Sequence, residues 1–474
     1  VVTPARVTTA RRVRGAAVDE GPLVRWLGHA WPLKALLVGL PLWWALGLGV
    51  FGFLIAALAM GVQLYRWRPL RVPAGFGVWV LFLVWTLGTV TVLWARAPQT
   101  LGGGGVERLL PFALRGAWYV AITIAMLYPL NIPAAKVSNK QFVRWMALVF
   151  AYCILLGIVA MAFPRLEFTS VAERLLPGGQ GSFLQSMTHP RLATTSGFLG
   201  YEQPRPSAPF LYANTWGNNV GLLLPFFVFA WMRIVSTWKK FVGAVVGLLA
   251  VLPIVYSLNR GLWLALGVLA VYVGVILARQ RKFAILWAAA VLGVIALTGV
   301  AASPVGQTFT TRLETPHSNE RRGDLATTTI SVTATGSPVV GYGSTRKLAG
   351  SFSSVAGGRS VDCEKCDVPP LGTQGYLWYL ILSTGFGGTL LFGSFLAIQF
   401  FRNARRMDPM GLLGCIALVL SGLFFFVYDS LESPMFFLML AIGLLNRPVR
   451  HAADIKASLP AHLHHGHLEA STVR

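Results

Sequence analysis

The sequence predicts an all-α polytopic membrane protein of about 12 transmembrane helices, with a large, partly helical extracytoplasmic loop between helices 9 and 10. Three observations predict it. The 474 residues are 55% hydrophobic and only 12% charged, with a mean hydropathy of +0.62, and so few charges cannot cover a soluble domain. Apolar stretches recur between Leu33 and Leu445, each near the ~20 residues that carry a helix across a bilayer. The cationic residues then fall on alternate connections between those stretches.

Taken in order, the spans are expected at roughly 33–48, 49–65, 74–94, 110–130, 142–163, 213–232, 241–257, 261–278, 283–301, 376–401, 410–427 and 430–446. The basic stretch 1–32 reads as a cytoplasmic tail rather than a signal-peptide n-region. Residues 33–446 form the membrane domain, and the composition of 447–474 predicts a disordered cytoplasmic tail. With both termini inside, the cytoplasmic segments and adjoining span ends hold 25 Lys/Arg and 5 Asp/Glu, against 15 and 12 on the opposite side. This is the positive-inside asymmetry. It accounts for the formal net charge of +23 without a nucleic-acid partner.

Two outer loops are long, 164–212 and 302–375, and long ordered loops usually carry function. In the larger, Ser318 or Asn319 is expected to cap a helix running through DLATTTISVTAT to Gly336, before Pro338. SPVVGYGS then reads as a turn in which Gly341 and Gly343 are free to take positive φ. Cys153 and Cys415 lie in apolar stretches and read as packing residues. Cys363 and Cys366 read as a local disulfide or half of a zinc site without a second ligand pair.

Candidate site residues follow from the chemistry of charge at a membrane boundary. Arg205, in EQPRPSAPFLYANTWGNN before the sixth span, is followed by Asn214, Asn218 and Asn219. An Arg beside a helix N-terminus suits a phosphate, and equally an interfacial Arg that snorkels to headgroups. Arg260, in YSLNRGLWLAL, sits inside an almost continuous apolar run. Such a charge costs about 2.5–3.5 kcal/mol at the bilayer centre and usually faces a cavity, although a short turn is also compatible. Arg312, Arg321, Arg322, Arg346 and Lys347 of the large loop are candidates for a pyrophosphate clamp with the amides of Gly341 and Gly343, or are solvated surface charges. Asp429 and Glu432 in FVYDSLESP are candidate proton acceptors or counter-ions, because carboxylates beside apolar helices have raised pKa values. Glu202, His189 and His317 rank below them.

With those residues in place, the chain resembles the bacterial O-antigen ligase and O-antigen polymerase family of membrane glycosyltransferases. RPSAPFLYANTWGNN is similar to the family's Arg segment before the sixth span. SLNRGLWLAL is similar to its Ser-Arg-Gly turn, and SPVVGYG with GTQGYLWYLILSTGFGG to its loop end and the start of span ten. The resemblance implies an inverting, metal-independent transfer of a glycan from an undecaprenyl-pyrophosphate carrier to an acceptor hydroxyl, outside the bacterial cytoplasmic membrane. It implies no cofactor, the donor lipid and a glycan or lipid-glycan acceptor as partners, and Arg205 and Arg260 as the functional arginines. The family's His before span ten falls here on Thr373 or Gln374, of which Gln374 is the closer match, and neither is a base near neutral pH. A transporter of polyprenyl-linked glycan and a non-catalytic binding subunit of a wall-synthesis complex remain as alternatives.

Overall fold

The apolar stretches fold as helices. The computed structural model describes residues 28–102, 105–176, 183–196, 203–234, 236–301, 306, 317–349 and 370–448. In chain order the helices are α1 (Trp31–Val38), α2 (Leu40–Ala45), α3 (Phe51–Arg66), α4 (Phe76–Gly88), α5 (Leu109–Asn131), α6 (Asn139–Ala162), α7 (Val171–Leu175), α8 (Phe183–Thr188) and α9 (Ala213–Met232). There follow α10 (Thr237–Leu249), α11 (Val251–Tyr256), α12 (Arg260–Arg279), α13 (Phe283–Ala301), α14 (His317–Gly336), α15 (Tyr376–Asn403), α16 (Pro409–Val427) and α17 (Ser433–Leu445). A two-stranded antiparallel hairpin, β1 (Ala193–Ser196) with β2 (Gln203–Pro206), sets Thr194 opposite Arg205 in the segment between α8 and α9.

Among the described residues, six helical stretches are long and apolar enough to cross a bilayer: α5, α6, α10 with α11, α12, α15 and α16. Helices α3, α4 and α17 are apolar but shorter. The predicted first span is broken at Gly39 between α1 and α2, and the predicted third tightens into a 3-10 turn over Thr89–Val92. The molecule is a mostly helical membrane protein whose helices are unequal in length.

Helix α17 is the axis of the bundle. All of its 13 residues are buried, as expected of a helix apolar on every face. It packs against α5, α9 and α16. Its C-terminal end is held by polar contacts: Arg406 donates to the Leu445 carbonyl (2.6 Å), and Arg447 donates to the carbonyls of Ile132 and Val137 (2.6 Å each) and to Asn139 (2.7 Å). Cys153 and Cys415 are free and buried.

The large loop contains a helix, α14, that ends at Gly336 as expected but begins at His317, so Ser318 and Asn319 lie within it rather than at its N-cap. Its threonines suit a helix because Thr327, Thr329, Thr333 and Thr335 return their hydroxyls to carbonyls four residues back. Leu325 and Val332 of α14 bury against Tyr342, Leu371 and Leu382.

The turn after α14 is built into a broken helix. Inside α15 the backbone leaves helical geometry at Gly385 (φ 66°, ψ −175°), which strands donors and acceptors on both sides of the break. The loop supplies their partners. Tyr342 and Gly343 N–H groups donate to the carbonyls of Leu382 and Ser383 (2.8 Å each), while Phe386 and Gly387 N–H groups donate to those of Pro338 (2.8 Å) and Val339 (3.3 Å). Gly341 and Gly343 have the positive φ expected of them, 72° and 75°. A Cβ at Gly341 would lie 2.5 Å from the Gly385 nitrogen. The two glycines thus dock the loop onto α15.

Candidate functional site

The site is assembled around the seven residues from Val427 to Ser433, which join α16 to α17. Five other elements converge on them, four through hydrogen bonds and one through charge. Tyr376 N–H, at the start of α15, donates to the Tyr428 carbonyl (2.8 Å). The Tyr428 hydroxyl accepts from Leu262 N–H (3.2 Å) and from Gly261 N–H, at the first turn of α12. Asn218 and Asn219 of α9 donate to the hydroxyls of Ser430 and Ser433, 2.8 Å in each case. Arg322 of α14 reaches the Val427 carbonyl (3.5 Å). Arg115 of α5 stands within electrostatic range of both Asp429 and Glu432.

Arg205 is buried on one flank of this junction (7% exposed). Its Nε donates to the Ser257 carbonyl, and its Nη2 donates to the side-chain oxygens of Asn259 and Asn214, the latter at 3.1 Å. Asn259 donates in turn to the Ala213 carbonyl (2.8 Å). The predicted pair of Arg205 and the turn before α12 therefore meets in space, across 52 to 54 residues of chain. Asn214 orients Arg205, and Asn218 and Asn219 tie α9 to the junction.

Arg260, half-buried, opens α12. Arg322 is close enough to repel both Arg205 and Arg260. Burial pushes the Arg205 guanidinium down to about 10; the Tyr428 phenol acts to raise it and Arg322 to lower it further. Burial likewise pushes the Tyr428 hydroxyl up to about 12, against the pull of Arg205 and Arg322. At neutral pH the guanidinium is charged and the phenol is not. Arg205 and Arg322 thus flank one neutral hydroxyl, with Arg260 within range of Arg322, and a cationic cluster drawn from three separate parts of the chain gains energy from a bound polyanion.

On the other flank lie the carboxylates. Asp429 is exposed, and its carboxylate accepts from Leu431 N–H (3.4 Å). Glu432 is half-buried and lines a narrow cleft, with about 20 Å³ open to water, together with His189, Arg191, Trp44, Phe53 and Trp118. His189 Nδ1 is bonded to Glu173 (2.8 Å). Arg115 lies over the Tyr379 ring (4.1 Å from its centroid), and its buried Nη1 has no partner among the described residues. Tyr379 neighbours a buried Tyr119–Tyr376 hydroxyl pair (2.8 Å).

The remaining candidates separate. Gln374 is half-buried two residues before Tyr376 and donates to Thr373 (3.2 Å). Arg346 is 1% exposed and is given to the chain itself. It donates to the carbonyls of Tyr342 (2.8 Å), Leu93, Ser344 and Thr345 (3.1 Å each), joining the large loop to the end of the 3-10 turn. Burial pushes its guanidinium down to about 10. Lys347 is exposed. Arg321 and His317 lie in α14, with side chains outside the described residues. Arg312, Glu202, Cys363 and Cys366 lie outside them altogether, as do 1–27 and 449–474. Among the described residues no three His, Cys, Asp or Glu side chains cluster as a metal site requires.

Sequence reasoning missed Arg115 and Tyr428. Arg115 carried a legible signal, a lone charge in LLPFALRGAWYVAI, the same signal that singled out Arg260. Tyr428 carried none, because its role depends on a contact across 166 residues. No family model, curated protein or solved structure matches the chain.

Proposed function

We propose that the chain is a metal-independent inverting glycosyltransferase. It moves a glycan from a polyprenyl-pyrophosphate carrier to an acceptor hydroxyl at the outer face of a bacterial cytoplasmic membrane, as a polysaccharide ligase or polymerase. The observation that carries the reading is the convergence of Arg205, Arg260 and Arg322 on the junction that also bears Asp429 and Glu432. In this reading the chain crosses the membrane about 12 times, with both termini cytoplasmic and the junction outside.

Negative charge grows on the pyrophosphate as the glycosidic bond breaks, and fixed guanidinium groups in a low-dielectric setting stabilise it without reorganising. Arg205 is the rigid member, because Asn214, Asn259 and Ser257 hold it. Arg260 and Arg322 close on the phosphates from the first turn of α12 and from the loop helix α14. The acceptor hydroxyl must lose a proton. Glu432 or Asp429 is the group at hand to take it, and Gln374 contributes a hydrogen bond near the acceptor.

The test is turnover of a defined polyprenyl-pyrophosphate glycan in liposomes, with and without acceptors. Arg260→Ala, Arg322→Ala and Glu432→Gln are expected to lower product formation at least 100-fold. Full activity in Arg260→Ala and Arg322→Ala overturns the assignment. Binding of the donor without turnover by the unaltered protein favours the non-catalytic subunit, and translocation without transfer favours the transporter.

A further inference from the structure

A second site lies elsewhere, between the N-terminal part of α6, the C-terminal part of α9 and α10. These helices line a groove of about 750 Å³. Its lining falls into three stripes, each with the i, i+3, i+4, i+7 spacing of one helix face. Helix α6 contributes Arg144, Ala147, Leu148 and Ala151. Helix α9 contributes Phe227, Ala230 and Trp231, followed by its C-cap Arg233 and by Ile234 just beyond it. Helix α10 contributes Lys239, Val242, Gly243 and Val246.

Each stripe carries its charge at the same end. Arg144 is in the second turn of α6, Arg233 caps α9, and Lys239 is in the first turn of α10. All three are exposed. The other end of each stripe is apolar. The mouth is also built rather than frayed: the Trp231 indole donates to the Lys240 carbonyl (2.9 Å), Arg233 lies over the Phe229 ring (4.8 Å), and Trp238 stacks on Phe241 (5.7 Å). Among the described residues, no acidic one lines the groove. None occurs between Glu107 and Glu167, or between Glu202 and Glu314, so neither α6 nor the α9–α10 pair supplies a counter-charge along its length.

We infer that this groove binds one anionic diacyl phospholipid, its phosphate held by Arg144, Arg233 and Lys239 and its acyl chains lying along the apolar stripes. Charge complementarity and amphiphilic shape commit it to that occupant. A zwitterionic lipid brings its own cation to a mouth that already has three. A free phosphate leaves the uncharged remainder of each stripe unused. Tryptophan beside the cations is the usual furniture of the membrane–water boundary, and cationic pockets between spanning helices are suited to acidic headgroups.

The test is lipid retention by the full-length protein. Purified protein is equilibrated with mixed micelles containing equal dioleoylphosphatidylglycerol and dioleoylphosphatidylcholine, and the lipid that survives gel filtration is quantified by mass spectrometry. The unaltered protein is expected to retain phosphatidylglycerol over phosphatidylcholine by at least 10-fold. The triple variant Arg144→Gln/Arg233→Gln/Lys239→Gln is expected to lose that preference, and the control Arg279→Gln/Arg281→Gln/Lys282→Gln to keep it. Equal retention of the two lipids, or equal loss in both triple variants, overturns the inference. Complete displacement by millimolar glycerol phosphate also overturns it, since that marks a site for a free anion. The readout is binding and does not depend on the glycosyltransferase reading.

Discussion

The Arg205 guanidinium donates to the side-chain oxygen of Asn259, which stands at the N-cap of the helix that Arg260 opens. With the bond to the Ser257 carbonyl, this hydrogen bond couples the β1–β2 hairpin to the turn before α12. The same bond makes Arg205 a structural pin as well as a member of the cationic cluster.

A substitution at Arg205 is therefore expected to cost stability as well as activity. Arg205→Ala leaves the buried oxygens of Asn259 and Ser257 without their donor, a loss on the order of 2–4 kcal/mol. Its melting temperature in detergent should fall by several degrees. Arg260→Ala and Arg322→Ala, at half-buried positions, should melt close to the unaltered protein while losing donor binding. Thermal scans beside a donor-binding assay check this, and an unshifted Arg205→Ala would refute the structural role.

Arg346 and Lys347 are adjacent in sequence but differ in burial and task. Arg346→Ala removes the donors that join Tyr342, Ser344 and Thr345 to Leu93, and is expected to destabilise the protein by about 2–4 kcal/mol. Lys347→Ala should stay within about 0.5 kcal/mol. Urea or thermal denaturation of the two variants distinguishes them. Equal effects would mean that Arg346 is not the staple of the loop.

Gly385→Ala probes the docking of the loop into the broken helix. A Cβ there would meet the Val339 carbonyl group at 2.4 Å, and φ is 66°. This φ/ψ combination, with ψ at −175°, is essentially confined to glycine and alone costs about 1–3 kcal/mol for alanine, so the turn is expected to leave the break. Amide exchange of Tyr342 and Gly343 should accelerate more than 10-fold, with the α16–α17 pairing unchanged. Unchanged exchange at these two amides would argue against the dock.

The smaller loop should respond to acid. Burial acts to raise the Glu173 carboxyl, but hydrogen bonds from Gln185 and His189, the charge of His189 and the Ser170 N–H outweigh it and hold the group below its ordinary 4.5. A depressed carboxyl stabilises the folded form above the unfolded value and loses that contribution as pH falls through the folded one. Protection of the Ser170–Leu175 segment against exchange is expected to hold at pH 6 and to fall below about 4.5. Glu173→Gln should remove the acid-dependent step, and its persistence in that variant would assign the step elsewhere.

Much of the helical order was legible because a 3.6-residue period and an apolar run are local properties. The end of α14 at Gly336 and the positive φ of Gly341 and Gly343 follow from the same local chemistry. Arg205 and Arg260 were visible because a charge beside a membrane span is costly wherever it sits. The purpose of Arg346 was not visible. Its basic neighbours suggested a ligand clamp, whereas burial decided in favour of carbonyls.

By itself, the sequence determined the class of protein, the placement of its apolar helices and the residues whose charge demands a reason. Only the tertiary structure decided which of those charges meet. Arg205, Arg260 and Arg322 come together because α12 and α14 reach the α16–α17 junction and the hairpin bonds to the turn before α12, and no local pattern encodes a contact between segments so far apart in the chain. Likewise only packing decided that the glycines of the large loop complete a broken helix. The hydrogen-bonding demand of a gap in α15 is invisible until both partners are in place.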